Sequence, residues 1–222
     1  MQHPFSCVPR TLLAIEAAIS PARLARYLPE ARGDKQRAVR LYVWNARLCE
    51  AFYLPLQLAE VCVRNAIHKT VERRFSASWF GQESFKAILP PRLAEELARV
   101  ASETRKTMGP AHTADHVVAG LTFGFWLNLL TRSYVNHLWL NGLGQSFPRL
   151  PKSAGRQELY NCLDRMRMWR NKIAHHDTIF DRNPRAEIAN ILQIVDWVCA
   201  DTHWFATELA SVVQVLSRKP RF

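Results

Sequence analysis

The residues of this chain best suited to chemistry lie together: Arg165-Met166-Arg167-Met168-Trp169-Arg170-Asn171-Lys172-Ile173-Ala174-His175-His176-Asp177. Cutting an RNA phosphodiester without a metal takes few parts. A base removes the ribose 2′-OH proton, an acid protonates the leaving oxygen, and a cation holds the charge that grows on the phosphorane. Histidine suits either proton role because its pKa lies near the working pH. Arginine offers a planar fork of donors that matches phosphate oxygens. Arg170, His175 and His176 are therefore the candidate catalytic residues, with Arg167 in support and Asn171 beside them. Four-residue steps place Arg167, Asn171 and His175 on one helical face. Arg170 and His175 are five apart, about 140° around an ideal helix, so they converge only if the helix ends or bends near Ala174 or if two chains meet. The plainer reading is a cationic helix end whose histidines satisfy terminal carbonyls, and on spacing alone that reading has the better of it.

A second group is Glu60, Arg64 and His68, each four apart, which form a polar stripe on an otherwise apolar helix. It is either an intrahelical ion pair with a bystander histidine or a device in which Glu60 aims Arg64 at the same site. Arg64-Asn65 repeats the Arg170-Asn171 dipeptide on another helix. His112 and His116, with Asp115 beside them, have the spacing of a metal pair. No third ligand is evident and no glutamate base accompanies them, so no metal is expected. His116 is expected in the first turn after Thr113. Glycine-rich phosphate loops and serine elbows are missing, and no cofactor is implied. Leu121-Thr122-Phe123-Gly124-Phe125-Trp126 reads as close helix packing around Gly124, with a base-stacking platform as the lesser alternative.

Helical signals run from end to end, predicting an all-α fold over residues 1–222 as one domain, with 1–33 as peripheral helices. Ser20-Pro21 opens a short helix to Tyr27. Gly33-Asp34 caps a long segment towards Phe75, with a kink expected at Pro55. Pro90-Pro91 opens a helix over 92–108, closed by Gly109-Pro110. Thr113 caps an apolar helix to about Arg132, and 134–143 adds another. Residues 142–151 are the clearest loop. Helices over 156–172, from Asn183-Pro184 to Trp197, and over 207–216 complete the chain. No alternating β-type run is present.

Composition sets the partners. Thirty Lys and Arg oppose 19 Asp and Glu, a formal +11, which draws polyanions: nucleic acid first, an anionic membrane surface second. Five scattered cysteines with no paired spacing argue for reduced thiols in a cytoplasmic protein. Met1 to Phe5 lacks the charged-then-apolar pattern of a leader. The most apolar window, 117–130, is too short to span a bilayer, so it is expected as a buried helix and no membrane association is expected.

Three stretches in this order resemble the Abi-like (abortive infection) proteins of the HEPN superfamily. They are Glu60-Val61 with Arg64-Asn65-Ala66, then Leu121 to Trp126, then Arg170-Asn171-Lys172-Ile173-Ala174-His175-His176. The resemblance implies a helical bundle of the HEPN type with additional helices and a homodimer with a composite active site. It also implies metal-independent endoribonuclease activity in phage defense or as a toxin, with an antitoxin as a possible partner. By the same resemblance Arg170 stabilises the phosphate, His175 acts as acid or base, Asn171 orients them, and His176 is placed to share the role. Some HEPN members are inactive, so the rival reading is a non-catalytic nucleic-acid-binding or dimeric interaction protein.

Overall fold

The computed structural model describes residues 6–222, so the reading of Met1 to Phe5 lies outside the described residues. Within them the chain forms eleven α-helices joined by short 3-10 turns and one π-helical segment, with no strand among the described residues. The all-α class expected from the sequence is what the chain adopts.

Two short helices come first, α1 (Pro9–Ile19) and α2 (Pro21–Ala25). α1 buries no residue fully, whereas Leu24, Tyr27 and Ala31 enter the core, so residues 21–33 are not merely peripheral. α3 (Lys35–Phe75) follows, capped as the sequence predicts by the Asp34 carboxylate accepting from the Arg37 N–H at 2.9 Å. It runs unbroken through Pro55 for 41 residues, about 60 Å of helix. Along that length it buries a continuous file from Ala38 to Val71 and packs against seven other helices. Trp44 illustrates the role: its ring is buried and its indole N–H reaches the Val215 carbonyl at 2.9 Å, fastening the C-terminal helices to α3.

The next layer is α4 (Glu83–Lys86), α5 (Pro91–Met108), α6 (Ala114–Gly120) and α7 (Phe123–Asn128). The sequence suggested one helix from Thr113 to about Arg132; the chain makes two. Leu121 and Thr122 are extended, and the Thr122 hydroxyl accepts the Phe125 N–H at 3.2 Å, capping a new helix. A threonine hydroxyl competes well for an orphan N–H at a helix start, and here it outweighs the apolar periodicity. Close packing occurs at Gly120 rather than Gly124: a Cβ at Gly120 would sit 2.6 Å from Val100 Cγ1, whereas Gly124 is exposed. Phe123, Phe125 and Trp126 are all buried, so this block forms core and offers no stacking platform.

Val135–Leu143 is π-helical and loses helical dihedrals at Asn141 and Gly142, close to where the loop was expected. Then come α8 (Arg156–Ala174), α9 (Pro184–Val198), α10 (Ala200–Leu209) and α11 (Val212–Ser217). The terminal helix expected over 207–216 is broken between α10 and α11. α8 buries Leu159, Leu163, Met166 and Trp169, steps of four and three that define one inward face. That face lies on α3, with Trp169 edge-on to Phe52 at 5.3 Å between centroids. No helix among the described residues is long and apolar enough to cross a membrane.

Candidate active site at the end of helix α8

α8 ends in a Schellman motif built around the two histidines. His175 is the C-cap, and its N–H reaches the Asn171 carbonyl at 2.9 Å. His176 follows in the left-handed region, φ 57°, donating its N–H to the Ile173 carbonyl at 3.0 Å. Asp177 N–H closes the outer ring on the Lys172 carbonyl at 2.9 Å. Glycine is the usual residue at the left-handed position, and histidine is one of the few others that occupy it with any frequency. The terminal carbonyls are thus satisfied by backbone N–H groups. Among the described residues neither imidazole has a hydrogen-bond or ion-pair partner, and both histidines are exposed. The plainer sequence reading, a cationic helix end at which His175 and His176 satisfy terminal carbonyls, describes the backbone of this end, and the two rings are left over from it.

The loop is held from elsewhere in the chain. Arg23 Nη1 donates to the His176 carbonyl at 2.8 Å, and Arg26 Nη1 meets Asp177 Oδ1 at 3.2 Å. Asn45 on α3, 4% exposed, donates to the Asp177 carbonyl at 3.2 Å and accepts the Ile179 N–H at 3.0 Å. Sequence reasoning missed Arg23, Arg26 and Asn45. They lie more than a hundred positions away, and nothing local marks them.

Arg170 sits on the flank of α8 nearest α3, where its Nε is 3.6 Å from Glu60 Oε2. That is too long for a hydrogen bond, and the Nε has no acceptor although it is shielded from solvent. The contact is therefore a charge pair that holds the guanidinium against α3 without saturating it. A half-exposed pair of this kind adds little stability, about 0–1 kcal/mol. Glu60 engages Arg170 across the helix interface and makes no ion pair with Arg64, contrary to the intrahelical pairing considered from sequence. Arg64, one turn further along α3, has its own shielded Nε without an acceptor. Both Nε atoms are shielded, so an anion would meet these two side chains only through their outer nitrogens. Among the described residues the exposed Asn65 and half-buried Asn171 side chains have no partner, and Arg167 is paired with Asp164 at 2.8 Å.

His68 does not join this group. It is 7% exposed, with its ring against Trp79 at 5.8 Å and Trp126 at 6.5 Å, and its Nε2 has no hydrogen-bond partner. Eight residues separate it from Glu60, about 12 Å along α3. Burial pushes its pKa down; Glu72 and Asp115 pull it up more weakly, and Lys69 adds to the lowering. The folded state therefore prefers the neutral ring. Its contribution to stability is complete above the unfolded value near 6.5 and declines as the pH falls below it, by at most about 1.4 kcal/mol per pH unit. Urea midpoints taken from about pH 7 to about pH 5.5 should fall more steeply for the native chain than for His68→Phe. Equal slopes would contradict a buried neutral ring.

His116 fills a capping box with Thr113, its Nδ1 3.1 Å from the Thr113 N–H, and His112 packs edge-on to Phe80. No cluster of three metal-type ligands occurs among the described residues, and all five cysteines are free thiols.

Compared with protein-family models, with curated proteins and with solved structures, the chain finds no match in any of the three.

Proposed function

We propose that the end of α8 is the active site of a metal-independent endoribonuclease of the HEPN type. The observation that carries this reading is the pair of exposed, unbonded imidazoles of His175 and His176 on a backbone-capped and tethered loop, on the helix that also carries Arg170. The backbone of both residues finishes the helix, and the two rings project beyond it with no partner among the described residues. In the proposed reaction one imidazole takes the ribose 2′-OH proton as the 2′-oxygen attacks phosphorus. The P–O5′ bond breaks and the 5′-oxygen receives a proton from an acid, leaving a 2′,3′-cyclic phosphate and a 5′-OH. Arg170, with Arg64 nearby on α3, takes the charge on the non-bridging oxygens. Asn171 supplies an orienting amide.

Arg170 and His175 lie on different sides of α8, so the reading includes a homodimer in which two α8 ends complete the site. The net charge of +11 favours RNA as the polyanion. A cytoplasmic role in phage defense or as a toxin, with or without an antitoxin, is the biological form of this reading. One observation favours the rival, a nucleic-acid-binding protein that does not cut: within one chain no hydrogen bond or ion pair joins Arg170 to either histidine.

The test is incubation of the purified chain with a single-stranded RNA pool in EDTA beside the same sequences as DNA. Only the RNA should be cut. Equal cutting of DNA, or RNA cutting that stops with EDTA, would sink the reading. Salt-sensitive RNA binding without cutting would turn it to the rival.

A further inference from the structure

On the side of α8 away from Glu60 lies an open groove of about 290 Å³. Asn161, Arg165, Met168, Trp169 and Lys172 of α8 line it, with Glu187 from the first turn of α9 opposite. Met168 and Lys172 stand about 160–200° around α8 from Arg170 on an ideal helix, so this surface is separate from the phosphate-facing flank.

The charges here are largely closed. Arg165 Nε lies 3.1 Å and 3.0 Å from the two Glu187 oxygens, and Asp164, also on the groove, is paired with Arg167. With both carboxylates paired to arginines, Arg165 is engaged and is not set out for a phosphate. The groove surface is instead apolar and polarisable: Met168 is 52% exposed and the Trp169 ring is buried behind it. Asn161 accepts from Gln157 at 2.9 Å and keeps its amide N–H groups free. An apolar thioether edged by both donors and acceptors can pack on the face of a heterocyclic base while the edges meet its polar atoms. The volume sits at the low end for ligand pockets, which suits one base rather than a larger molecule. Lys172, the lining residue nearest the histidines in sequence, has no acidic partner among the described residues and lies in the last turn of α8, just before His175 and His176. Moving towards the end of α8, the order is base-type surface, free cation, then imidazoles. One nucleotide attached to the bond being cut has its groups in the same order.

We propose that this groove is a nucleobase subsite, holding the unpaired base next to the phosphate presented to His175 and His176, with Lys172 on the intervening backbone. The proposal rests on the RNA-cleaving reading of the α8 end, and it makes the groove the source of sequence preference.

The experiment measures binding of short 2′-O-methyl homo-oligomers of A, C and U, which resist 2′-OH attack, to the full chain and to Asn161→Ala/Met168→Ala. Both substituted residues are exposed and alanine keeps the helix, so thermal melts check that the fold is retained. The native chain should prefer one base by about tenfold, and the variant should bring the ratio within about twofold. No preference in the native chain, or the same ratio in the variant, would overturn the proposal. So would equally tight binding of a free nucleoside monophosphate, because that would assign the groove to a small ligand rather than a strand. Base-selective binding by a chain that never cuts RNA would retire the nuclease reading and keep the groove. Cutting by the native chain with an unchanged binding ratio in the variant would do the reverse.

Discussion

Replacing His175 and His176 together with alanine should abolish RNA cutting, a loss of about 10³-fold or more, because proton transfer by positioned side chains contributes about 10²–10⁴-fold. The fold should remain. Neither ring makes a hydrogen bond or packs in the core, and the Schellman bonds that end α8 run through backbone atoms. The only structural charge is at His176, where alanine must adopt φ 57°, and histidine already bears that strain. The change in stability should therefore stay within about 1 kcal/mol. His175→Ala/His176→Gly is the useful companion, since glycine suits the left-handed position and removes the ring without stressing the cap. Circular dichroism and a cleavage time course on the same samples check both halves. Full cutting by either double variant would remove the histidines from the site.

The second large effect belongs to Asn45, which holds the chain just after the histidines and has no role in the chemistry. Its amide joins the Asp177 carbonyl and the Ile179 N–H, the residues that follow the histidines, and it is buried on α3. Asn45→Leu fills a similar space but leaves both backbone groups without a partner in a buried place. Stranding a buried donor and acceptor costs about 2–4 kcal/mol in total, against a smaller gain from the apolar side chain. For a chain of this size each kcal/mol moves the midpoint by about 2–4 °C, so the thermal midpoint should drop by about 4–16 °C, less the part the apolar gain offsets. Cutting should fall further than the folded fraction explains, because the histidine loop loses its anchor to α3. A variant as stable as the native chain would mean that the loop is held by Arg23 and Arg26 alone.

The parts of this molecule that depend on local rules were legible in the sequence. Asp34 ahead of an apolar repeat, Pro91 at a helix start and Asn183-Pro184 each marked a boundary that the fold uses. Two breaks escaped. Thr122 reads as a polar interruption in an apolar run, and only its capping bond to Phe125 makes it a boundary. The end of α8 has no glycine to announce a Schellman turn, so the left-handed His176 was hidden. Glu60 was picked out by its spacing from Arg64, yet its carboxylate turns to Arg170 on another helix. Helical spacing reports which residues share a face, and it cannot say what that face meets. His68 shares Glu60's stripe and still ends among Trp79 and Trp126, because α3 is long enough for one stripe to pass from the site into the aromatic core. The tether from Arg23, Arg26 and Asn45 depends wholly on tertiary contact.

The most direct measurement is the chemistry of the ends left on RNA cut by the native chain in EDTA, read beside the His175/His176 double-alanine variant. Attack by the 2′-OH predicts 2′,3′-cyclic phosphate and 5′-OH ends from the native chain and none from the variant. Ends bearing a 5′-phosphate, or the same cyclic ends from the variant, would contradict a ribonuclease centre at the end of α8.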